Sequence, residues 1–243
     1  MRDLTAKRYW LVGASEGLGR ALAFHLSRMG VEVIVSARNS DRLAELVAEL
    51  PGKASFVPVD ISDMASVEAA ASEIGDIDGM VFLAGVYWPL SAKNWDAQKV
   101  EAMCDINFTG AARCVGAVLP KMLERESGHI VLTGSLSGFR GLPGATGYGA
   151  SKAGVMYLAE GMYADLRNTG VDVQVINPGF IKTRLTDKND FKMPFIMEPD
   201  AAAQEMVEHM MTDNFKRSFP SLFGSMFRIS QFLPDWLYYR IFA

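Results

Sequence analysis

Six short apolar runs constrain the fold of this 243-residue chain more than any other feature of its sequence. The runs are rich in Val and Ile, which is typical of strands that are covered on both faces. The first five are each followed by a segment with helical periodicity, and such alternation predicts a parallel sheet with helices on both faces and right-handed crossovers. The runs lie at 9–12, 31–35, 55–59, 80–83, 129–133 and 171–176, and the helical segments at 18–29, 41–50, 67–74, 97–123 and 148–168.

The organisation of the chain indicates one α/β domain. It has no internal repeat, no low-complexity segment and no linker rich enough in Gly, Pro or Ser to divide it. We therefore expect a single doubly wound, Rossmann-type domain with a mostly parallel sheet of about seven strands. Periodicity is lost over 182–198, and a long irregular segment in a compact domain is often a lid or a binding loop. Helix is expected to resume near Pro199.

Composition and charge argue against several classes of protein. Hydrophobic residues make up 49% of the chain, and the net charge of −4 gives no reason to expect a nucleic-acid partner. If Cys104 and Cys114 share a helix they lie too far apart for a disulfide, so we expect reduced thiols and a cytoplasmic protein. The three histidines are scattered, so we expect no metal site. There is neither an apolar leader nor a run of about 18 apolar residues.

Three glycines follow the first run in the spacing G-x-x-x-G-x-G, at Gly13, Gly17 and Gly19. They stand between a predicted strand and a predicted helix. There, a glycine turn lets the backbone approach the pyrophosphate of a dinucleotide, and the helix N-terminus attracts its charge. The alternative is an ordinary turn. The position favours nucleotide binding, with Ser15 and Leu18 in the same turn.

The end of the second run indicates which dinucleotide is bound. A cofactor without a 2′-phosphate usually meets an acidic side chain here, but this chain has Ala37 followed by Arg38. A guanidinium suits a phosphate, so NADP is favoured over NAD. NAD stays the alternative, because Glu16 in the glycine turn would repel the additional phosphate and Arg38 would otherwise be an ordinary surface residue.

A phenol and an ammonium group are predicted to be neighbours at Tyr148 and Lys152, because residues four apart on a helix share a face. A nearby ammonium favours the phenolate and lowers the pKa of a tyrosine, which suits proton transfer. Ser135 lies just past the fifth run, at the edge of the sheet where such domains bind ligands. Taken alone, Tyr148 is an ordinary core or surface residue and Ser135 is a turn or capping serine.

Together these motifs resemble the short-chain dehydrogenases/reductases over about 8–213. The resemblance implies that 1–213 form the dinucleotide-binding catalytic domain and that 214–243 are a helical extension of it. It also implies a homodimer or a homotetramer. The matching pieces keep the family's order and separations, and they are the glycine turn, Asp60, Ala84-Gly85, Asn107, Ser135, Tyr148-x-x-x-Lys152, Asn177-Pro178-Gly179 and Thr183.

The resemblance also implies a role for each residue. Tyr148 would be the general acid that protonates a carbonyl oxygen, Ser135 would hydrogen-bond that oxygen, and Lys152 would bind the nicotinamide ribose and lower the pKa of Tyr148. Asn107 would hold a water molecule in a proton relay. The remaining cofactor contacts would come from the glycine turn and from residues that follow later runs, namely Arg38, Asp60, Ile61, Ala84, Gly85, Pro178, Gly179, Ile181 and Thr183.

Two positions depart from the family pattern. The family usually has Thr before the first glycine and Asn before Ala-Gly after the fourth strand, whereas this chain has Val12 and Leu83. Both absent groups are expected to be structural hydrogen-bonders. Their loss bears on local stability more than on the reaction.

The last thirty residues, 214–243, hold nine of the 25 aromatic residues, together with four basic residues and a single acidic one. Leu222, Met226 and Ile229 belong to an apolar stripe at helical spacing. A basic, aromatic amphipathic helix can lie in a membrane interface. The alternative is that the stripe packs on the domain, covers the substrate mouth or joins a partner subunit. We favour the alternative, since most amphipathic helices are packing elements.

The sequence predicts an oxidoreductase that transfers a hydride between NADPH and a ketone or secondary alcohol. Apolar residues in 182–198 and in 87–90 indicate a small apolar substrate. A non-catalytic dinucleotide-binding regulator is one alternative. A sugar-nucleotide epimerase or dehydratase is another, although its glycine spacing differs. The third is a membrane-peripheral, lipid-type reductase anchored through 221–243.

Overall fold

The computed structural model describes residues 1–242 and shows seven strands in one parallel sheet. The first six strands lie close to the six apolar runs of the sequence. The strands are β1 (Arg8–Val12), β2 (Glu32–Ser36), β3 (Ala54–Phe56), β4 (Gly79–Phe82), β5 (Gly128–Thr133), β6 (Val171–Pro178) and β7 (Lys216–Phe219). Their order across the sheet is β3-β2-β1-β4-β5-β6-β7, and every neighbouring pair is parallel.

Helices cover both faces of this sheet, as the alternation predicts. The helices are α1 (Gly17–Arg28), α2 (Ser40–Glu49), α3 (Met64–Ile74), α4 (Ala97–Cys104), α5 (Gly110–Glu124), α6 (Thr146–Leu166), α7 (Pro199–Met210), α8 (Ser221–Ser230) and α9 (Asp235–Phe242). Successive strand residues point to opposite faces, so Trp10 and Val12 pack with α3, α5 and α6, whereas Tyr9 and Leu11 pack with α1, α2 and α7. The expected doubly wound fold is therefore confirmed.

Two predicted elements differ from the observed ones, and one observed strand has no counterpart among the predicted runs. The helix expected over 97–123 is continuous but contains a π-helical turn at Asp105–Thr109 between α4 and α5. The third strand is predicted over 55–59 but ends at Phe56. Pro58 has no backbone N–H to donate to a ladder, which makes an edge position and an early end the favourable arrangement. The seventh strand has no matching run in the sequence, because Lys216, Arg217 and Ser218 are polar.

The segment 214–243, expected to be helical, begins instead with a strand. β7 pairs in parallel with β6 and completes the sheet. Its backbone N–H and C=O groups form the ladder hydrogen bonds, which do not require apolar side chains. Helix starts only at Ser221. One face of α8 packs through Phe223 and Phe227 against Leu136, which agrees with the favoured packing interpretation. Within residues 1–242, no helix combines the length and the apolarity that crossing a bilayer requires.

Candidate active site

The carboxyl ends of the strands open into a cavity of about 670 Å³. It lies where β1 has β2 on one side and β4 on the other, which is the point where open α/β sheets bind ligands. All sequence-predicted site residues except Asn107 line this cavity: Gly13, Ser15, Glu16, Gly17, Leu18, Gly19, Arg38, Asp60, Ile61, Ala84, Gly85, Ser135, Tyr148, Lys152, Pro178, Gly179, Ile181 and Thr183.

The glycine turn has the geometry of an anion cradle. Gly13 has a φ of +90°, and a Cβ built on it would lie 2.4 Å from the backbone nitrogen of Ala84, so only glycine lets the ends of β1 and β4 approach. Gly17 has a φ of +56° and begins α1. No side chain of residues 1–242 caps the first turn of α1, so its N–H groups and helix dipole face the cavity. These features fit a bound pyrophosphate.

The ends of β1 and β4 are joined by backbone hydrogen bonds at the two positions that depart from the family pattern. The amides of Leu83 and Ala84 both donate to the carbonyl oxygen of Val12, at 2.8 and 2.9 Å. Val12 is buried among the apolar residues under the sheet. The junction is therefore held by main-chain groups and apolar packing, without the side-chain hydroxyl and amide that the family usually has there.

Tyr148 lies in the first turn of α6, half-buried against Tyr87, with ring centroids 5.0 Å apart. Burial raises the pKa of Tyr148 to about 12, while a hydrogen bond with Ser135 acts to lower it. The Ser135 hydroxyl oxygen accepts from the backbone N–H of Ser137 at 3.2 Å and from its hydroxyl at 2.9 Å. The proton of the Ser135 hydroxyl stays free to be donated toward Tyr148 or a substrate oxygen.

Lys152 extends under the ring of Tyr148, with its ammonium nitrogen 5.9 Å from the ring centroid. The ammonium donates to the backbone carbonyl oxygen of Thr133 at 2.8 Å, which fixes it at the end of β5. The side chain is buried, and this burial lowers the pKa of Lys152 to about 8. A cation is thus held inside the domain without a carboxylate partner among residues 1–242.

The expectation that the pKa of Tyr148 is lowered is wrong for this arrangement. The pKa of Tyr148 is raised, because loss of water around the phenol outweighs the Ser135 hydrogen bond. The ammonium group of Lys152 donates instead to the Thr133 carbonyl oxygen at the end of β5. At neutral pH the structure therefore holds Tyr148 as a protonated donor.

Asn107 lies in the π-helical turn, fully buried, and lines no part of the cavity. Its Oδ1 accepts from the Val86 amide at 2.7 Å, and its Nδ2 donates to the Val86 carbonyl at 3.0 Å. Nδ2 also donates at 2.9 Å to the Ser151 hydroxyl, which donates in turn to the Tyr148 carbonyl. Asn107 thus ties the loop after β4 to the start of α6. Such π turns are frequent at functional sites.

Glu16 is held by two arginines beside the glycine turn. Its Oε2 lies 2.9 Å from Nη1 of Arg42 and 2.8 Å from Nη1 of Arg184. Arg38 is exposed, lines the same side of the cavity, and has no carboxylate partner within residues 1–242. Asp60 accepts hydrogen bonds from the backbone and hydroxyl of Ser62, which lower the pKa of its carboxyl group.

The irregular segment 182–198 covers one side of the cavity and is bonded to the loop after β4. Lys188 donates to the Tyr87 carbonyl at 2.6 Å, and its ammonium lies 4.7 Å from the Trp88 ring centroid. The Tyr87 hydroxyl donates to Asn189 at 2.9 Å. Together with the Arg184–Glu16 pair, these bonds join the segment to both sides of the cavity.

Comparison with known proteins identifies the family. A family model described as short chain dehydrogenase matches residues 7–193. The chain belongs to the short-chain dehydrogenases. An uncharacterized oxidoreductase of Myxococcus xanthus (strain DK1622) is 38% identical over 245 residues, which covers 98% of this chain and 97% of the relative. This short-chain dehydrogenase is therefore an oxidoreductase of a family that binds nicotinamide cofactors.

Two solved structures resemble this short-chain dehydrogenase. A short-chain dehydrogenase from Streptomyces avermitilis has a TM-score of 0.80 and 25% identity, and the match covers 92% of this chain and 91% of that one. The closed form of a serine dehydrogenase complexed with NADP+ also has a TM-score of 0.80 and 25% identity, with 87% and 94% covered.

Sequence reasoning missed several residues of the dehydrogenase site. Arg42 lies four residues after the predicted Arg38, and Arg184 directly follows the predicted Thr183. The short distance from Arg38 is a signal that could have pointed to Arg42. Ser151 sits inside the Tyr-x-x-x-Lys pentapeptide and was not given a role. Ser137 and Lys188 carry no sequence signal, because their contacts form only when separate loops meet at the sheet edge.

Proposed function

We propose that this short-chain dehydrogenase reduces a small apolar ketone to a secondary alcohol with NADPH, and catalyses the reverse oxidation. The observation that carries the proposal is the placement of Ser135, Tyr148 and Lys152 at one end of a cavity whose other end is the glycine turn. A proton donor and a turn suited to a dinucleotide therefore line the same cavity. The cofactor, when bound, would supply the hydride.

The chain's own residues would bind the cofactor along the cavity. The uncapped first turn of α1 suits the pyrophosphate, and Asp60 with Ile61 suits the adenine side. Thr183, whose amide is bonded to the Thr186 hydroxyl at 3.0 Å, would contact the nicotinamide carboxamide. Lys152 is held at the end of β5 and would donate to the nicotinamide ribose hydroxyls.

The proton transfer follows from the protonation state of Tyr148. Its raised pKa keeps the hydroxyl protonated at neutral pH, so it can give that proton to the carbonyl oxygen as the carbonyl carbon becomes tetrahedral. The Ser135 hydroxyl would donate a hydrogen bond to the same oxygen. The Lys152 ammonium would then stabilise the phenolate that Tyr148 becomes, since opposite charges attract strongly in a buried site.

Arginine positions support NADPH over NADH. Arg38 lines the cavity just before α2 and Arg42 lines it from the first turn of α2, so a 2′-phosphate could be bound by both. Glu16, which would repel that phosphate, is already paired with Arg42 and Arg184, so its charge is offset. A related serine dehydrogenase was solved with NADP+.

The walls next to Tyr148 support an apolar substrate. Val86 and Tyr87 line the cavity on one side of the Tyr148 hydroxyl and Leu185 lines it on the side of the lid segment 182–198. Pockets with a few polar groups among apolar walls orient a substrate through those polar groups.

We also propose that the enzyme is a homodimer or homotetramer, which light scattering of the purified chain would measure.

The test of the reaction is NADPH oxidation, followed by absorbance with a panel of apolar ketones. Tyr148→Phe keeps the ring and removes the donor, so kcat is expected to fall at least about a hundredfold. Tyr157→Phe is the matched control, because Tyr157 is on the same helix with its side chain largely exposed. Unchanged turnover in Tyr148→Phe would refute the assigned acid. A chain that binds NADPH yet reduces no ketone would favour a regulatory protein.

The test of cofactor choice is the binding of NADPH and NADH to three variants. Arg38→Ala and Arg42→Ala are each expected to weaken NADPH binding by about tenfold and to leave NADH binding unchanged, since only NADPH has the 2′-phosphate. Arg28→Ala is the control, because Arg28 is exposed at the far end of α1. Equal affinity of the parent protein for both cofactors would contradict the proposed preference.

A further inference from the structure

Helix α8 has two apolar faces, of which only one is covered. Phe223 and Phe227 pack against the domain, whereas Leu222, Met226 and Ile229 form a second stripe at i, i+4 and i+7 that points to solvent. Ile229 is 64% exposed and Leu222 is 65% exposed. Packing on the domain therefore explains why Phe223 and Phe227 are apolar, but it does not explain the exposed apolar side chains of the second stripe.

The outer stripe continues beyond α8. Phe232 follows the helix at 86% exposure, and Trp236 and Tyr239 share the outer face of α9. The rings of Phe227 and Phe242 hold α9 against α8, with centroids 6.0 Å apart. We call this surface the C-terminal apolar face, and its members are Leu222, Met226, Ile229, Phe232, Trp236 and Tyr239.

The lid segment 182–198 contacts α8 on its covered side. Phe195 contacts Phe223 of α8, with ring centroids 5.4 Å apart, and Phe195, Phe191 and Ile196 are themselves largely exposed. Ten of the sixteen large apolar side chains that are exposed within residues 1–242 lie between Phe191 and Ile241. An apolar concentration of this kind marks an interaction surface, because monomeric domains normally scatter such residues.

The charge of α8 and α9 is positive and uncompensated. Arg228 and Arg240 form no salt bridge with any carboxylate of residues 1–242. Asp235 is the only acidic residue from Ser221 to Phe242, and it is already paired with Arg140, which also lies 4.0 Å from the Tyr238 ring centroid. The C-terminal apolar face is thus bordered by arginines without a free carboxylate.

We propose that the C-terminal apolar face binds the surface of an anionic lipid bilayer. The two helices are about 15 and 12 Å long, so they would lie in the plane of the interface and not cross it. Leu, Ile and Phe side chains would enter the acyl boundary, and Trp236 and Tyr239 suit the headgroup level. Arg228 and Arg240 would contact the lipid phosphates.

A second copy of the chain fits this face less well. A two-fold dimer would place the same surface on both sides of the interface, so the arginines of one copy would approach those of the other. Asp235, the single carboxylate, is engaged by Arg140. A negatively charged lipid surface satisfies the apolar stripe and the arginines at once.

The experiment is vesicle flotation of the purified full chain, without cofactor or ketone, so that its result is independent of the proposed function. We expect binding to vesicles of equimolar phosphatidylcholine and phosphatidylglycerol, weaker binding to phosphatidylcholine alone, and a fall with added salt. The variant Ile229→Ser/Phe232→Ser is expected to bind at least about tenfold more weakly. Met64→Ser is the control, because Met64 is an exposed apolar residue at the start of α3.

Two further measurements keep the proposal falsifiable. Lipids brominated along the acyl chains should quench the fluorescence of Trp236 in the unmodified chain, identified by its loss in Trp236→Phe, so the test does not depend on how the serine variant folds. Absence of both flotation and quenching overturns the proposal. Undiminished flotation of the serine variant also overturns it. If the unmodified chain binds no vesicles and light scattering shows a different mass for the serine variant, the face is instead assigned to contact with a second copy of the chain.

Discussion

The two ends of the sheet both bury polar side chains, but more of the buried polar atoms are paired at the amino end than at the carboxyl end. At the amino ends of the strands, the Tyr9 hydroxyl lies 2.7 Å from His129 Nδ1, and His129 Nε2 lies 3.0 Å from Gln174 Oε1. The Gln174 amide then donates to three backbone carbonyls of 209–214. Arg2 closes the cluster by contacting His129.

At the carboxyl ends, buried polar atoms lack partners within residues 1–242. They are Oγ1 of Thr133, both side-chain polar atoms of Asn177, and Oγ of Ser218. Lys152 is buried there as a cation, and the half-buried Tyr148 is held as an acid. The amino end has a single such atom, Nε2 of His209. Since an unpaired buried group costs stability, the imbalance marks the end that is built to bind and react.

The largest expected effect is that of substituting Tyr148 at the carboxyl end of the sheet. Tyr148→Phe is expected to leave the free energy of unfolding within about 1 kcal/mol of the parent and to lower kcat at least about a hundredfold. Urea unfolding and NADPH oxidation measure the two quantities. A Tyr148→Phe variant that unfolds much more easily would place Tyr148 among the structural groups.

The next largest effect is on acid stability. Burial lowers the pKa of His129 to about 3, far below the pKa of about 6.5 expected in the unfolded chain. Between those values the unfolded chain binds the additional proton, so stability falls as the pH drops below about 6.5. We expect a loss of about 2–3 kcal/mol between pH 6.5 and 4.5 from His129 alone.

His129→Gln removes that proton and keeps a polar side chain. Its unfolding free energy, measured by urea at both pH values, should depend less steeply on pH, by up to about 1.4 kcal/mol per pH unit. Some slope should remain, because burial also lowers the pKa of His209, to about 4. An unchanged slope in the variant would show that His129 does not titrate as proposed.

A smaller effect is expected for Tyr9→Phe at the amino end. The change leaves His129 Nδ1 without its partner in a buried position, and this costs about 1–3 kcal/mol of unfolding free energy. Turnover of the folded variant should equal that of the parent, since Tyr9 lies at the amino end of β1. A Tyr9→Phe variant with a lower kcat and an unchanged free energy of unfolding would contradict the assignment of a structural role to the amino end and a reactive role to the carboxyl end.

The smallest effect is a pH dependence at the reactive end. Burial lowers the pKa of Lys152 to about 8, so its ammonium is lost as the pH rises through that value. If the charge is needed, kcat/KM for NADPH, which reports the free enzyme, should fall up to tenfold per pH unit above about 8. Lys152→Arg keeps a charge in that range and should lose this decline. An identical decline in Lys152→Arg would assign it to another group.

Much of the site was predictable because it depends on local geometry. The strand-turn-helix order located Gly13, Gly17 and Gly19, and four-residue spacing on a helix located Tyr148 with Lys152. The cavity indeed contains all five residues. The pKa direction of Tyr148 was not predictable, since it depends on how much water Tyr87 and neighbouring groups exclude from the phenol.

Contacts between segments distant in the chain were not predictable from the sequence. Glu16 was expected to repel a phosphate, but Arg184 reaches it from a segment 168 residues away. The polar strand β7 was missed for the same reason, because its place depends on the free edge of β6 and not on its own residues. The exposure of Ile229 beside the buried Phe227 likewise follows from how α8 docks.

The alternation of Val- and Ile-rich runs with helical segments was enough to specify a doubly wound parallel sheet and the residues at its carboxyl edge. Short-range periodicity and backbone sterics act within a few residues, so they can be read directly from the chain. Protonation states, the pairing of Glu16 and the outward face of α8 were settled by folding, because burial and long-range contacts exist only once distant segments have packed together.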